Sequence, residues 1–244
     1  MKNCLILGSN SDMGQALAYK FASKGYNIVL ASRNPNEYQT RLKNDISIKN
    51  NVNVSLTQFD GAKLESHTSF WEDLEVLPDV VIVVFGYLGD QAKALNDFEE
   101  TYRIITNNYL GQVSLINKFI EKVNDKKETA IIGISSVAGD RGRKSNYIYG
   151  SAKAAFTTYL SGLRNDMNDK NIKVMTVLPG FVKTKMLGDL KTPNFLTATP
   201  EEVANIIYKA YIKQKDIIYV YPIWKYIMRI IKTIPEFKFK KMNL

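Results

Sequence analysis

At 244 residues, 45% of them hydrophobic, the chain can bury a sizeable core and lies in the range where α/β proteins run as one domain. No window approaches the roughly 18 consecutive apolar residues of a membrane-crossing helix. With one cysteine, Cys4, and one histidine, His67, neither an intramolecular disulfide nor a histidine-rich metal site can form, and no metal is expected. The formal charge of +9 admits an acidic partner, whether nucleic acid, anionic lipid or a phosphorylated substrate, and its position along the chain has to decide among them.

The opening run Met1-Lys2-Asn3-Cys4-Leu5-Ile6-Leu7 has the charge of a signal peptide but too short an apolar stretch. It reads as the first strand of a cytoplasmic protein, with Cys4 a buried structural thiol. From there, β-branched and aliphatic runs near 3–8, 27–31, 52–59, 79–85, 129–135, 172–178 and 216–220 alternate with helical periodicity near 13–24, 36–49, 64–75, 96–124, 148–168 and 200–213. That alternation predicts an α/β fold, a single-domain doubly wound parallel sheet over 1–221, followed by a basic extension, 222–244. Val80 to Val84 and Ala130 to Ile134 are apolar on both faces and belong at the sheet centre. His67, among Glu65, Ser66, Thr68 and Ser69, is expected to be solvated.

After the first strand, Gly8-Ser9-Asn10-Ser11-Asp12-Met13-Gly14 turns tightly into an amphipathic helix, whose free N–H groups and dipole suit a pyrophosphate, although two glycines also occur in ordinary βα loops. The second strand ends in Ala31-Ser32-Arg33, where an NAD-selective site would usually carry an acid. Arg33 can pair with a 2′-phosphate instead, which favours NADP(H), or simply be solvated. Asp60, closing the third strand, can accept from the adenine amino group or cap a turn.

The decisive segment is Ile134-Ser135-Ser136-Val137-Ala138-Gly139, followed after thirteen residues from Ser136 by Tyr149-Gly150-Ser151-Ala152-Lys153. Tyr149 and Lys153 are four apart and share a helix face, so the ammonium is expected to draw the phenol's pKa down towards the working range. Ser136, at the carboxyl end of a central strand, can hold a carbonyl oxygen as charge develops on it.

With these residues in place, the chain resembles the short-chain dehydrogenase/reductase family over residues 1 to about 220. The resemblance implies a Rossmann-type sheet, a nicotinamide cofactor and a Ser–Tyr–Lys site (Ser136, Tyr149, Lys153) completed by an asparagine, matched by Asn108 in Asn108-Tyr109-Leu110-Gly111. It also implies that Asn108 holds a water supporting Lys153, that Lys153 binds the nicotinamide ribose, and that Pro179-Gly180-Phe181-Val182-Lys183-Thr184 meets the carboxamide, with Thr184 in contact. Two departures stand out. Asp12 replaces the loop's second glycine and is expected to cap the following helix. Phe85-Gly86-Tyr87-Leu88-Gly89-Asp90 stands where the family usually reads Asn-Asn-Ala-Gly, so contacts with the adenosine side are expected to differ there, with Phe85 and Gly86 expected to bind the cofactor. Both departures, with Trp224-x-x-Ile227-Met228 and Ile234-Pro235-Glu236-Phe237, are similar to decaprenylphosphoryl-2-keto-pentose reductases and related reductases of bacterial polysaccharide loci.

Between Ser136 and Tyr149, Arg141, Arg143 and Lys144 can receive a substrate phosphate or form a solvated loop. From Trp224 onward six cations face one acid, Glu236, which places +5 of the chain's +9 in its last 21 residues. Trp224, Ile227, Met228 and Ile231 follow helical spacing with Lys225, Arg229 and Lys232 between them. This is the pattern of a helix lying on an anionic membrane surface, or of one packed on the domain or a partner subunit of a homo-oligomer. No recognition-helix motif points to nucleic acid. The reading is a ketoreductase acting on a small-molecule or lipid-linked keto sugar. The alternatives are a reductase of 3-oxoacyl or other small ketones and a non-catalytic NADP-sensing protein.

Overall fold

The computed structural model describes residues 1–123, 128–188 and 190–242. In chain order the elements are β1 (Asn3–Leu7), α1 (Asp12–Ala22), β2 (Asn27–Ser32), α2 (Glu37–Asn50), β3 (Val54–Gln58), α3 (His67–Glu72), β4 (Val80–Val83), α4 (Gln91–Ala94), α5 (Phe98–Ile105), α6 (Gly111–Lys122), β5 (Thr129–Ile134), α7 (Tyr147–Asp166) and β6 (Ile172–Leu178). Then follow β7 (Phe181–Val182), β8 (Thr197–Ala198), α8 (Pro200–Ile212), β9 (Ile217–Tyr219), α9 (Ile223–Thr233) and α10 (Glu236–Phe239).

Seven strands form one sheet in the order β3-β2-β1-β4-β5-β6-β9, and every pairing in it is parallel. Successive strand residues face opposite sides, so the apolar runs divide between two cores. Cys4, Ile6, Val80 and Ile82 pack with Leu17 and Phe21 of α1, Ile46 of α2 and Ile207 of α8. Leu5, Leu7, Val81 and Val83 pack with Trp71, Phe119 and Phe156 of α3, α6 and α7. Strands covered on both sides have no polar face to show, which is why their sequences read as continuous apolar runs. The chain reverses direction across the sheet between β1 and β4. That switch point opens a crevice beyond the strands' carboxyl ends, where open α/β sheets bind ligands.

Two expectations need correction. His67 is buried, its Nδ1 2.9 Å from Ser114 Oγ and its Nε2 3.1 Å from the Asp60 carbonyl oxygen, because α3 lies against α6 and its polar sequence neighbours point outward. The single helix expected over 96–124 is interrupted by a π-turn at Thr106–Leu110, where Asn108 donates to the Ile104 carbonyl.

Candidate active site

The phosphate-side cradle is shaped by two glycines. Gly8 has φ +104°, and a β-carbon there would lie 2.6 Å from the Phe85 nitrogen; one on Gly14 would strike the Gly8 carbonyl oxygen. Ser11 caps α1, donating to Gly8 O at 2.8 Å and accepting from Gly14 N at 3.0 Å. Asp12 is therefore not the cap: its Oδ2 accepts from Lys185 N at 2.7 Å, which ties the loop to the segment after β7. The N–H groups of Asn10, Asp12 and Met13 have no protein acceptor among the described residues, so a helix N-terminus with free donors lies at the switch point.

Two expected contact side chains are committed elsewhere. Ser9 and Ser32 are buried, and Gln39 links them, donating to Ser9 Oγ at 2.8 Å and accepting from Ser32 Oγ at 2.7 Å. Their hydroxyls brace β1 and β2 against α2 rather than face a ligand. Arg33, the next residue, is exposed and makes no ion pair among the described residues, and Asp60 accepts from Ala62 N at 3.0 Å, which is the turn-capping alternative. Phe85 packs edge-on against Phe59 beside Gly8. Gly180 is explained by the tail, because a β-carbon there would run into the Trp224 indole. Val182 is buried and Thr184 Oγ1 donates to the Val182 carbonyl at 3.3 Å, while Pro179 O accepts from Val137 N at 3.0 Å.

The residues expected to handle the proton converge as their spacing demands. β5 delivers Ser136 at its carboxyl end, and α7 starts two residues before Tyr149, so Lys153 sits one turn further along the same face. The Ser136 hydroxyl accepts from Ala138 N at 3.1 Å and is close enough to Tyr149 to act on its phenol. Lys153 is buried, donates to Ile134 O at 3.0 Å and lies 5.9 Å from the Tyr149 ring centre. Burial pushes the Tyr149 phenol up to about 12 against the lowering effect of Ser136, and burial alone pulls the Lys153 ammonium down to about 7. In the chain itself the expected acidification of the phenol is absent. Near neutral pH the lysine is only part-charged, and desolvation governs both groups.

Asn108 is buried in the π-turn, its Oδ1 accepting from Tyr87 N at 3.2 Å and its amide donating to Tyr87 O. A β-carbon on Gly86 would lie 2.7 Å from Asn108 Oδ1 and 3.7 Å from Lys153 Nζ, so asparagine and lysine flank one spot.

The basic loop divides. Arg141 donates to the carbonyls of Ile231 and Ile234, pairs with Glu236 at 2.8 Å and stacks 3.6 Å over the Phe239 ring, which removes it from any substrate contact. Arg143 reaches Val137 O and Met228 Sδ, whereas Lys144 is exposed. Of the two readings of the tail's stripe, packing on the domain is the one that Trp224 and Met228 follow. Trp224 and Met228 are buried with Val137 and Leu178, flanked by Ile227 and Ile231, and Trp224 Nε1 donates to Leu196 O.

Several site-shaping residues carried no sequence signal. Gln39 is one. Buried Glu100 is another: it accepts from the Tyr87 hydroxyl at 2.8 Å and from Asp90 N at 3.0 Å, and so holds the Phe85–Asp90 loop. Gln91 bonds Ile148 N through Oε1, leaving its Nε2 buried and unpartnered, as is Asn146 Oδ1. Gln91, Ser145 and Tyr147 line a cleft of about 940 Å³. Lone polar residues in non-periodic stretches gain meaning only once the elements are assembled.

Comparison with known proteins identifies the family and the fold. The short chain dehydrogenase family profile matches residues 2–194, and the chain belongs to that family. It is an NAD(P)-dependent oxidoreductase of CH–OH and C=O groups. An uncharacterized oxidoreductase of Mycobacterium tuberculosis is 29% identical over 241 residues, covering 98% of this chain and 96% of that protein. The NADP-dependent 3-hydroxy acid dehydrogenase of Schizosaccharomyces pombe is 26% identical over 235 residues, covering 89% of each. Among solved structures, a short-chain dehydrogenase from Sphingobium yanoikuyae in complex with NADPH has the same fold, with TM-score 0.82 at 20% identity and 97% of both chains covered.

Proposed function

We propose that the protein is an NADPH-dependent ketoreductase in which Tyr149 protonates the carbonyl oxygen of a keto sugar. The observation that carries this reading is the convergence of Ser136, at the carboxyl end of β5, with Tyr149 and buried Lys153, one turn apart on α7. The nicotinamide cofactor supplies the hydride. Ser136 orients the carbonyl oxygen towards the phenol, Tyr149 gives up its proton as charge develops there, and Lys153 stabilises the resulting phenolate and holds the cofactor's ribose, with Asn108 positioned beside it. A phenol held near 12 stays protonated across the neutral range, which suits reduction, where an acid is needed first.

The cradle fits the cofactor: the N–H groups of Asn10, Asp12 and Met13 suit its pyrophosphate, and Gly8 and Gly14 leave the space. Arg33, exposed where an acid would select NAD, supports NADPH. A hydroxylated substrate is favoured by the polar lining of the cleft at the start of α7, where Gln91, Ser145 and Tyr147 stand.

A second element of the proposal places the protein peripherally on the inner face of the cytoplasmic membrane. The apolar arc of α9 is wider than its docked side: Trp224 and Met228 are 4% and 0% exposed, whereas Tyr226 and Ile230 are 64% and 66% exposed, with Ile223 beside them and Lys225, Arg229 and Lys232 around the rim. Two such tails, each carrying +5, would repel across a symmetric contact, so an anionic lipid surface is the better match and suits a polyprenyl-phosphate-linked sugar.

The test is NADPH oxidation against keto sugars, 3-oxoacyl thioesters and simple ketones with wild type and Tyr149→Phe. Loss of turnover by about 10² to 10⁴-fold with NADPH binding retained is expected. Activity within about tenfold of wild type would remove Tyr149 from the mechanism, and preference for the thioester would replace the sugar.

A further inference from the structure

The loop after Ser136 and the end of the chain enclose a cavity with a one-sided charge. Arg143, Lys144, Glu236, Phe239, Lys240, Lys241 and Met242 line about 290 Å³ of space. Its single acid, Glu236, is already paired with Arg141, and Arg143, Lys144, Lys240 and Lys241 make no ion pair among the described residues, Asp140 acting on Arg143 only from beyond contact distance. Arg143 is half-buried, its terminal nitrogen on Val137 O and Met228 Sδ, and its Nε is buried with no hydrogen-bond acceptor. Four like charges crowded round one concavity repel each other.

We propose that this cavity binds a phosphate group carried by the substrate. A phosphate presents several anionic oxygens, enough to accept from the guanidinium and from the lysines together, and it converts mutual repulsion into charge-assisted hydrogen bonds. The size suits a small anion and is below what a whole dinucleotide requires. The cavity is separate from the cofactor's phosphate cradle at Gly8–Gly14 and Arg33, since it is walled by the loop joining β5 to α7 and by the residues around α10. The same loop carries Ser136 at one end and Tyr149 at the other, so a phosphate held at Arg143 anchors a ligand to the segment that presents both proposed reacting groups. Arg141 takes part indirectly: its bonds to Ile231, Ile234 and Glu236 clamp the tail against the loop and so form the cavity. This assignment rests on the ketoreductase reading for the identity of the ligand but not for the existence of the anion site.

The experiment has two arms, both on the full-length protein saturated with NADPH so that the cofactor's own phosphate sites are filled. In the first, line broadening of inorganic phosphate in ³¹P NMR is titrated with wild type, Lys240→Ala/Lys241→Ala and, as a surface control, Lys213→Ala. Saturable binding weakened by about tenfold or more in the double variant and unchanged in the control is expected for charge-assisted contacts. No saturable binding, or equal binding by all three proteins, overturns the site. In the second, NADPH oxidation is compared for fructose 6-phosphate and fructose. The ratio of kcat/KM between the two should favour the phosphate ester in wild type and collapse by about tenfold or more in the double variant, chiefly through KM. A ratio near one in wild type, with phosphate still bound in the first arm, shows that the site takes free phosphate and overturns substrate anchoring. Tail-dependent phosphate binding with no turnover of any ketone leaves the site standing and sinks the ketoreductase reading instead. Circular dichroism of the double variant, whose two lysines are exposed, verifies that it is folded.

Discussion

Burial moves the proton chemistry of Tyr149 and Lys153 in opposite directions, and each has a measurable consequence. The Lys153 ammonium falls from 10.5 to about 7 on folding, so below pH 7 the native chain has to bury a charge that the unfolded chain leaves in water. A depressed lysine means that the unfolded state binds more protons between those values. The destabilisation is therefore fully present below about pH 7 and fades as pH rises to 10.5. Lys153→Met, which removes the charge at similar volume, should make the cofactor-free protein more stable than wild type at pH 7. The gap should close by up to roughly 1.4 kcal/mol per pH unit on the way to pH 10, by urea denaturation. A gap independent of pH would show that the ammonium is solvated. The other residue-scale expectation concerns Arg33: Arg33→Ala should weaken NADPH by about 1.5–3 kcal/mol while barely changing NADH, measured by fluorescence titration. Equal losses for both cofactors would take the 2′-phosphate away from Arg33.

At the scale of elements, α9 is part of the catalytic domain's packing. Trp224 fills the space above Gly180 that the absent β-carbon leaves, stacks edge-on with Phe181, and reaches the cluster of Val137 and Leu178 directly behind Ser136. Trp224→Ala should cost about 3–5 kcal/mol, read from chemical denaturation. Deleting residues 223–244 should lower activity even on a soluble ketone, because Val137 follows Ser136 in the chain and would lose its cover. An unaltered turnover number in the truncated protein would show that α9 is dispensable to the site.

The last 21 residues carry +5 of the chain's +9, and α9 among them presents an apolar strip that the domain leaves uncovered. Among the described residues no helix is long and apolar enough to cross a membrane. Vesicles containing anionic lipid should co-sediment the protein at low salt, each nearby cation adding about 1 kcal/mol, and release it at high salt as the Debye length shortens. Tyr226→Glu/Ile230→Glu should abolish that binding while leaving the fold intact, since both side chains point away from the core. If wild type stays in the supernatant, or if the double variant breaks an oligomer seen by light scattering, the strip is a protein–protein surface.

How much of this was legible in the sequence follows the range of the interactions involved. Alternating apolar runs determined the seven sheet strands and the doubly wound class, because a strand buried on both faces must be apolar throughout. The spacing from Ser136 to Tyr149 to Lys153 determined that these three share a face, because helix geometry alone brings residues four apart together. Gly8 and Gly14 likewise announced a tight turn. What only the tertiary structure decided was the environment of each group. Ser9 and Ser32 turn to Gln39, His67 is enclosed by α6, and Asp12 reaches a backbone nitrogen 173 residues away. The helical stripe of Trp224 and Met228 was visible in the chain, but an apolar face is equally suited to lipid or to protein. Its partner was set by Gly180, Val137 and Leu178, residues brought to it by the fold. The same holds for the protons: the sequence places an ammonium near a phenol, and only the depth at which the sheet and α7 bury them decides that desolvation outweighs their attraction.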